Sequence, residues 1–306
     1  MPIRPRVAVL LPTYNGVNFI ARQIETILEQ ESCAVDVWVS DDQSTDGTWE
    51  WLCEASRTEG RLKLLSRRSS LGGSARNFYR LLQDVVFADY QFVALADQDD
   101  IWFKWKLALS IQKLGEHAAS AFSSNVIALW PDGRKNLICK SQKQRRLDFL
   151  FESAGQGCTY VLAAACAREF QQFLLTRRQE IDAVQFHDWL IYAWCRANGF
   201  GWHIEPQPTM LYRQHPANVH GANSGWAALL RRLGQVRSGW YRGEVLKIIR
   251  LVEKGNAFSE ECSVTARLIE AKTPWSRVVL AAKAPSLRRR FKDRVLLLVA
   301  CLTGAF

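Results

Sequence analysis

Residues 92–102 read Phe-Val-Ala-Leu-Ala-Asp-Gln-Asp-Asp-Ile-Trp. An unbroken run of apolar residues, Phe92 to Ala96, passes directly into the polar cluster Asp97-Gln98-Asp99-Asp100. A short continuous apolar run closed by a polar cluster predicts a strand buried on both faces, the kind found in parallel sheets covered by helices. Open sheets of that class take their ligands beyond the carboxyl ends of the strands, where this acidic cluster would lie.

The same pattern recurs upstream. Val7–Leu11 is apolar, stops at Pro12 and gives way to turn residues Thr13-Tyr14-Asn15-Gly16. Val35–Ser40 is followed by Asp41-Asp42-Gln43-Ser44-Thr45-Asp46-Gly47, and Leu62–Leu65 reads as a third strand. Helical spacing fills the gaps. Phe19, Ile20, Ile24, Ile27 and Leu28 recur along one face with Asn18 as the expected cap; Thr48 to Ala55 reads as a helix, and Leu71-Gly72-Gly73-Ser74 opens another that runs through Val86. Strands alternating with helices predict βαβ units, an α/β class and a mostly parallel, Rossmann-like sheet with flanking helices. Polar clusters after Leu11, Ser40 and Ala96 then share one edge of one sheet and form one candidate site.

Farther on, Ala121–Trp130 is strand-like, Pro131-Asp132-Gly133 is a turn, and helices are expected near 166–178 and 187–198. Residues 223–306 read as helical and basic. The expected parts are therefore 1–115, 116–222 and a C-terminal helical extension, 223–306.

Composition narrows the function classes. A chain of 306 residues with 48% hydrophobic and 23% charged residues is globular, not disordered. Its eight cysteines form no Cys-x-x-Cys pair, which removes zinc-ribbon and thioredoxin-type readings and suggests reduced thiols. No signal-peptide pattern precedes Val7, so a cytoplasmic location is expected. The formal charge is +10, and it is not evenly spread: residues 1–220 hold 24 Lys/Arg and 24 Asp/Glu, whereas 221–306 hold 16 against 6. An excess confined to the last segment points to an anionic surface met by that segment alone. A neutral, carboxylate-rich remainder opposes nucleic acid as partner.

Asp97 and Asp99, two residues apart at a strand end, can face one divalent cation. Hard oxygen ligands suit Mg²⁺ or Mn²⁺, particularly when substrate phosphates complete the shell. Asp42 can accept hydrogen bonds from a base imide or a ribose hydroxyl. The plainer reading of 41–47 is an Asx turn with a helix cap at Ser44 or Asp46.

Taken in order, VAVLLPTYNG, VWVSDDQSTDGT, SLGGSARNF and FVALADQDDIWFKWKL resemble family 2 glycosyltransferases of the GT-A fold. ADQDDIW and the later YRQHPANVHG are similar to the rhamnosyltransferase-like branch, and the resemblance spans about residues 7–221. It implies a nucleotide pocket lined by Pro12, Thr13 and Tyr14, with Asp42 near base or ribose. It places Asp97 at the ribose or donor sugar, Asp99 on the metal and Arg76 near phosphate or donor. His187-Asp188-Trp189 stands where the family carries its catalytic base, often written Glu-Asp, so Asp188 would take the acceptor hydroxyl's proton in an inverting transfer. His215 would be a further metal ligand, favouring Mn²⁺, and Arg213 a diphosphate partner. Gly155-Gln156-Gly157-Cys158-Thr159, before a helix-like run, would shape the acceptor side.

The resemblance implies a nucleotide-sugar donor, dTDP- or UDP-linked, with rhamnose among the sugars, and a polysaccharide, lipopolysaccharide or lipid-linked acceptor. The processive QxxRW motif is absent, which implies single-sugar addition. Two other classes compete. A nucleotidyltransferase shares this sheet type but expects a glycine-rich, lysine-bearing first loop. A basic, non-enzymatic nucleic-acid-binding protein fits only the net charge.

The tail Arg288-Arg289-Arg290-Phe291-Lys292-Asp293-Arg294 precedes an apolar run from Val295 to Leu302, too short for the ~20 residues of a span. Trp226, Leu229, Leu230 and Leu233 with Arg231 and Arg232 look similarly amphipathic, and Trp240 and Tyr241 suit headgroup depth. The expectation is peripheral contact with an anionic membrane surface on its cytoplasmic face; a helix packed on the core is the alternative.

Overall fold

Strand β1 (Arg6–Thr13) lies in the interior of the molecule's larger sheet, buried along its length after Arg6. It pairs in parallel with β2 (Ala34–Asp41) on one side and β4 (Phe92–Leu95) on the other. The computed structural model describes residues 4–215 and 238–306. The rest of YRQHPANVHG beyond His215, and the stretch carrying Trp226, Leu229, Leu230, Arg231, Arg232 and Leu233, lie outside the described residues.

The strand order is β10-β6-β9-β4-β1-β2-β3, seven strands, where β3 is Leu62–Leu64, β6 Ala121–Ser124, β9 Val161–Ala163 and β10 Trp202–Glu205. Among the described strands of this sheet, only β9 runs antiparallel to its neighbours. Crossovers are made by α1 (Ile20–Leu28), α2 (Thr48–Thr58) and α3 (Ser74–Asp84). Register fixes where the site lies. Thr13 stands opposite Asp41, and Ala96 donates its N–H to the carbonyl of Leu10. The three polar clusters therefore leave the sheet at one level, flanking the strand at which the connection order reverses.

Ala121–Trp130 is two strands, not one. β6 belongs to the large sheet and β7 (Val126–Leu129) to a second, four-stranded sheet. Asn125 makes the break. Its amide nitrogen donates to the carbonyl of Pro206 at 2.8 Å, and its amide oxygen accepts from the backbone of Lys140 and Ser141. The second sheet has the order β5-β11-β7-β8, with β5 Ile101–Trp102, β8 Lys135–Ile138 and β11 Met210–Arg213. β11 pairs antiparallel with β5, which carries the late chain back beside the acidic loop.

Other local expectations shift. α1 begins at Ile20 with Phe19 as its cap residue, and Asn18 makes no cap. Gly157–Thr159 is a single 3-10 turn leading into β9, which precedes α5 (Ala164–Thr176). Helix α4 (Lys106–Glu116) follows β5.

The chain divides into two compact units. The first, Met1–Ser141, Gly155–Arg178 and Phe200–Asn218, contains both sheets. The second, Gln142–Ala154, Gln179–Gly199 and Val219–Phe306, is helical among its described residues. After the four-residue α6 (Arg178–Ile181) it contains α7 (His187–Ala197), α8 (Trp240–Val252), α9 (Ser259–Ala271), α10 (Pro274–Leu287) and α11 (Phe291–Leu302).

Candidate active site

In the first unit, the rim loops are bonded to one another. Gln98 joins two of them: its amide oxygen accepts the N–H of Tyr14 at 3.0 Å and its amide nitrogen donates to the carbonyl of Tyr14 at 2.9 Å. The β2 loop is joined to the β1 loop by Asn15, whose N–H meets Ser44 Oγ and whose amide oxygen accepts from Thr45. The N–H of Val17 reaches Asp46. A Cβ on Gly16 would sit 2.2 Å from Gln98 Oε1, inside contact distance. Gly16→Ala is therefore expected to displace the Gln98 amide and break its two bonds to Tyr14, lowering stability by about 1–2 kcal/mol. Most of that loss should vanish in a Gln98→Ala background, as read by a double-mutant cycle in urea unfolding.

The adjacent carboxylates of the β2 loop divide their tasks. Asp41 is buried and accepts from Thr13 Oγ1 at 3.0 Å and from the N–H of Ser44, and it pairs with Arg67 at 3.0 Å. Asp42 accepts the N–H groups of Leu71, Gly72 and Gly73 at 2.5, 3.2 and 3.4 Å. Gly72 and Gly73 reach this arrangement at φ 74° and 149°, which side chains resist. Asp42 thus shapes the loop that leads into α3, where Arg76 stands in the first turn and its guanidinium bonds the carbonyl of Leu71 at 3.2 Å. Pro12 and Thr13 are buried at the end of β1, and Tyr14 is exposed.

The acidic loop and the end of β11 converge. His215 Nε2 lies 2.7 Å from Asp99 Oδ2, across 116 positions of sequence. The His215 ring stacks on the Phe19 ring at 4.6 Å, and the guanidinium of Arg213 lies 5.6 Å from the centre of the Phe19 ring. Two donors held about 2.1 Å from one ion at right angles lie about 3 Å apart, so this carboxylate–imidazole pair fits a divalent cation that accepts oxygen and nitrogen. A second group, Asp97, Asp100 and Cys158, has donor atoms within 4.8 Å of one another. It fits a cation less well. Burial pushes the Cys158 thiol up, away from the thiolate that binds metal, and the carboxylates of Asp100 and Asp97 add to the shift.

Asp100 and Lys106 are buried charged groups beside the acidic loop that motif reading missed. Burial raises the Asp100 carboxyl well above its usual range, and the like charges of Asp99 and Asp97 raise it further. Asp100 also accepts the N–H of Arg213 at 3.3 Å. Lys106 is fully buried; burial brings its ammonium down to about 7, against the opposing pull of Asp100 and Asp97. Its Nζ donates to the carbonyl of Cys158 at 2.6 Å and lies 3.5 Å from the centre of the Trp102 ring. The signal was present in ADQDDIWFKWK: a third acid after the pair, and a lysine inside an otherwise apolar helix start.

Asp188 belongs to the second unit. It lies in the first turn of α7, one residue inside the start, and takes the N–H of Trp189 at 2.8 Å. Phe186, not Asp188, is the cap residue. A carboxylate in a first turn is favoured by the helix dipole. Below it on the same face, Tyr192 and Arg196 follow at spacings of four. Both bond Asp148, Tyr192 Oη at 3.1 Å and Arg196 at 3.1 Å, and Arg289 closes the group at 3.2 Å. Arg289 and Asp148 have no side-chain exposure.

Comparison with known proteins gives the family and the fold. The family model "Glycosyl transferase family 2" matches residues 8–154. The chain is 38% identical over 298 residues to the dTDP-rhamnosyl transferase RfbG of Shigella flexneri, covering 97% of this chain and 100% of that one. It is 27% identical to the UDP-Glc:alpha-D-GlcNAc-diphosphoundecaprenol beta-1,3-glucosyltransferase WfgD of Escherichia coli, over 51% of this chain and 59% of the relative. Among solved structures, the mannosyltransferase PcManGT of Pyrobaculum calidifontis, in complex with GDP-Man and Mn²⁺, is 19% identical with a TM-score of 0.57 over 99% of this chain and 86% of that one. The fold is that of the GT-A glycosyltransferases, and the protein is an enzyme that moves a sugar from a nucleotide-sugar. The chain belongs to glycosyltransferase family 2, in its rhamnosyltransferase-like branch.

Proposed function

We propose that this enzyme transfers rhamnose from dTDP-rhamnose, with inversion and with help from Mn²⁺ or Mg²⁺, onto a lipid-linked glycan at the cytoplasmic membrane surface. The observation that carries the reading is the meeting of Asp99 and His215 at the sheet rim. The likeness to RfbG supports the donor, and the diphosphoundecaprenol named for WfgD supports the acceptor class.

In this reading residues 1–115 hold the donor, 116–222 contribute the acceptor side and the base, and 223–306 are the extension. Pro12, Thr13 and Tyr14 line the nucleotide site, while Asp42 fixes the 71–73 loop beside it and Arg76 meets phosphate. Asp97 holds the ribose or sugar. Asp99 and His215 hold the cation, which when bound offsets the charge that develops on the leaving diphosphate. Arg213 adds a fixed positive charge to the same end. Asp188 accepts the proton of the acceptor hydroxyl as its oxygen bonds the anomeric carbon, and the electrons of the breaking bond leave with dTDP. A single sugar is added per encounter.

Donor binding tests this without turnover. At one hundred times its dissociation constant, dTDP-rhamnose with Mn²⁺ should add about 2.7 kcal/mol to stability, read as a rise in Tm. EDTA, or Asp99→Asn, should remove most of the rise. A rise indifferent to chelator would reject the metal role, and a larger rise with UDP-glucose would reject the donor.

A further inference from the structure

Seven of the eleven exposed large hydrophobic side chains among the described residues lie on α10 and α11. Such concentration is unlike the scatter of ordinary surfaces and marks an interaction face. On α11, Phe291, Val295, Leu298 and Leu302 recur at helical spacing with Val299 beside them, while Leu297, Ala300 and Cys301 are buried. At 100° per residue the exposed set occupies about 100° of arc. Lys292 flanks it on one side, while Arg294, half-buried on the other, bonds the backbone carbonyls of Arg288 and Arg289 at 2.9 and 2.5 Å. α10, which packs on α11, exposes Trp275 and Val278 and buries Leu280, Ala281, Ala284 and Leu287. Trp275 and Phe291 are each 74% exposed, one at the start of each helix.

Charge says what covers this face. Asp293, the acid of α11, is paired with Arg288 at 3.3 Å. Arg288 and Arg289 turn inward to Tyr241, Phe151 and Asp148, and the side chains of Arg290 and Lys292 are exposed beside the stripe. A stripe edged at its start by exposed cations is complementary to anionic headgroups above acyl chains; a second copy of the chain would set like charges together. No helix among the described residues is long and apolar enough to cross a membrane.

We propose that the α10–α11 hairpin docks in the interface of an anionic bilayer, stripe toward the acyl boundary and Arg290 and Lys292 at the lipid phosphates. This deepens the reading of a membrane-held acceptor and rests on it for its purpose, but the binding itself needs neither donor nor acceptor. The test is flotation of the full chain with phosphatidylglycerol–phosphatidylethanolamine vesicles and, separately, with phosphatidylcholine vesicles. The anionic vesicles should bind at least about tenfold better. Phe291→Glu and, independently, Val299→Glu, both at exposed positions, should each cut that binding about tenfold while keeping the wild-type Tm and the Tm rise with dTDP-rhamnose. Flotation of both variants at the wild-type level would overturn the proposal. So would a wild-type chain that ignores vesicles and sediments as a dimer which Phe291→Glu splits, since the face would then belong to a second copy. Loss of the dTDP-rhamnose response with flotation intact would count against the donor alone.

Discussion

Asp188→Asn is expected to lower kcat by about 10²- to 10⁴-fold, the contribution usual for a positioned general base. The substitution is close to isosteric, and the amide oxygen can still accept the N–H of Trp189 that the carboxylate now takes. What would be lost is the proton acceptor that the proposed transfer requires. Donor affinity should stay within a few-fold, because the residues assigned to the donor lie in the other unit. The measurements are single-turnover sugar transfer and the dissociation constant for dTDP-rhamnose. A variant that transfers at near wild-type rate would remove Asp188 from the chemistry, and one that fails only in donor affinity would reassign it.

The second large effect concerns stability. Asp148→Ala should cost about 3–5 kcal/mol, because removing one member of a buried ionic group strands the others. Asp148 faces the guanidiniums of Arg196 and Arg289 and the hydroxyl of Tyr192, and Arg289 has no exposure through which water could replace it. Urea unfolding followed by tryptophan fluorescence reads the loss. Asp148→Asn should cost less, since an amide oxygen still accepts one of those bonds. A loss below about 1 kcal/mol for the alanine variant would mean that water or a shifted neighbour replaces the carboxylate.

Much of this arrangement was legible in sequence because its signals are local. An apolar run that gives way at Asp97 marks a buried strand and nearly where it ends, whereas β1 runs on through Pro12 to Thr13, paired with Ser40 and Asp41 of β2. The parallel register then put those ends at one level, as expected for strands with that connectivity. Other features depend on partners far away in the chain. Ala121 to Trp130 looks like one strand until Asn125 finds Pro206 and Lys140, and those bonds move the chain from one sheet to the other. Gln98 reads as a spacer between two acids, yet it is the residue that bonds Tyr14. The arginines at 288–290 read as one solvated patch, whereas Arg289 serves a buried carboxylate fixed by a turn some 140 positions earlier. Lys106 follows the same rule: its burial under the acidic loop arises only when β11 and the Gly157–Thr159 turn close around it.

The stitching of the rim by Gln98, Asn15 and Asp42 has a kinetic corollary. Loops already tied to each other lose little freedom when a ligand arrives, so the entropy of ordering is settled during folding. Nucleotide association at this edge should then proceed as a single bimolecular phase, linear in concentration, with no slow gate ahead of it. Cutting the Gln98 tie would loosen the rim and introduce a concentration-independent lag at saturating nucleotide.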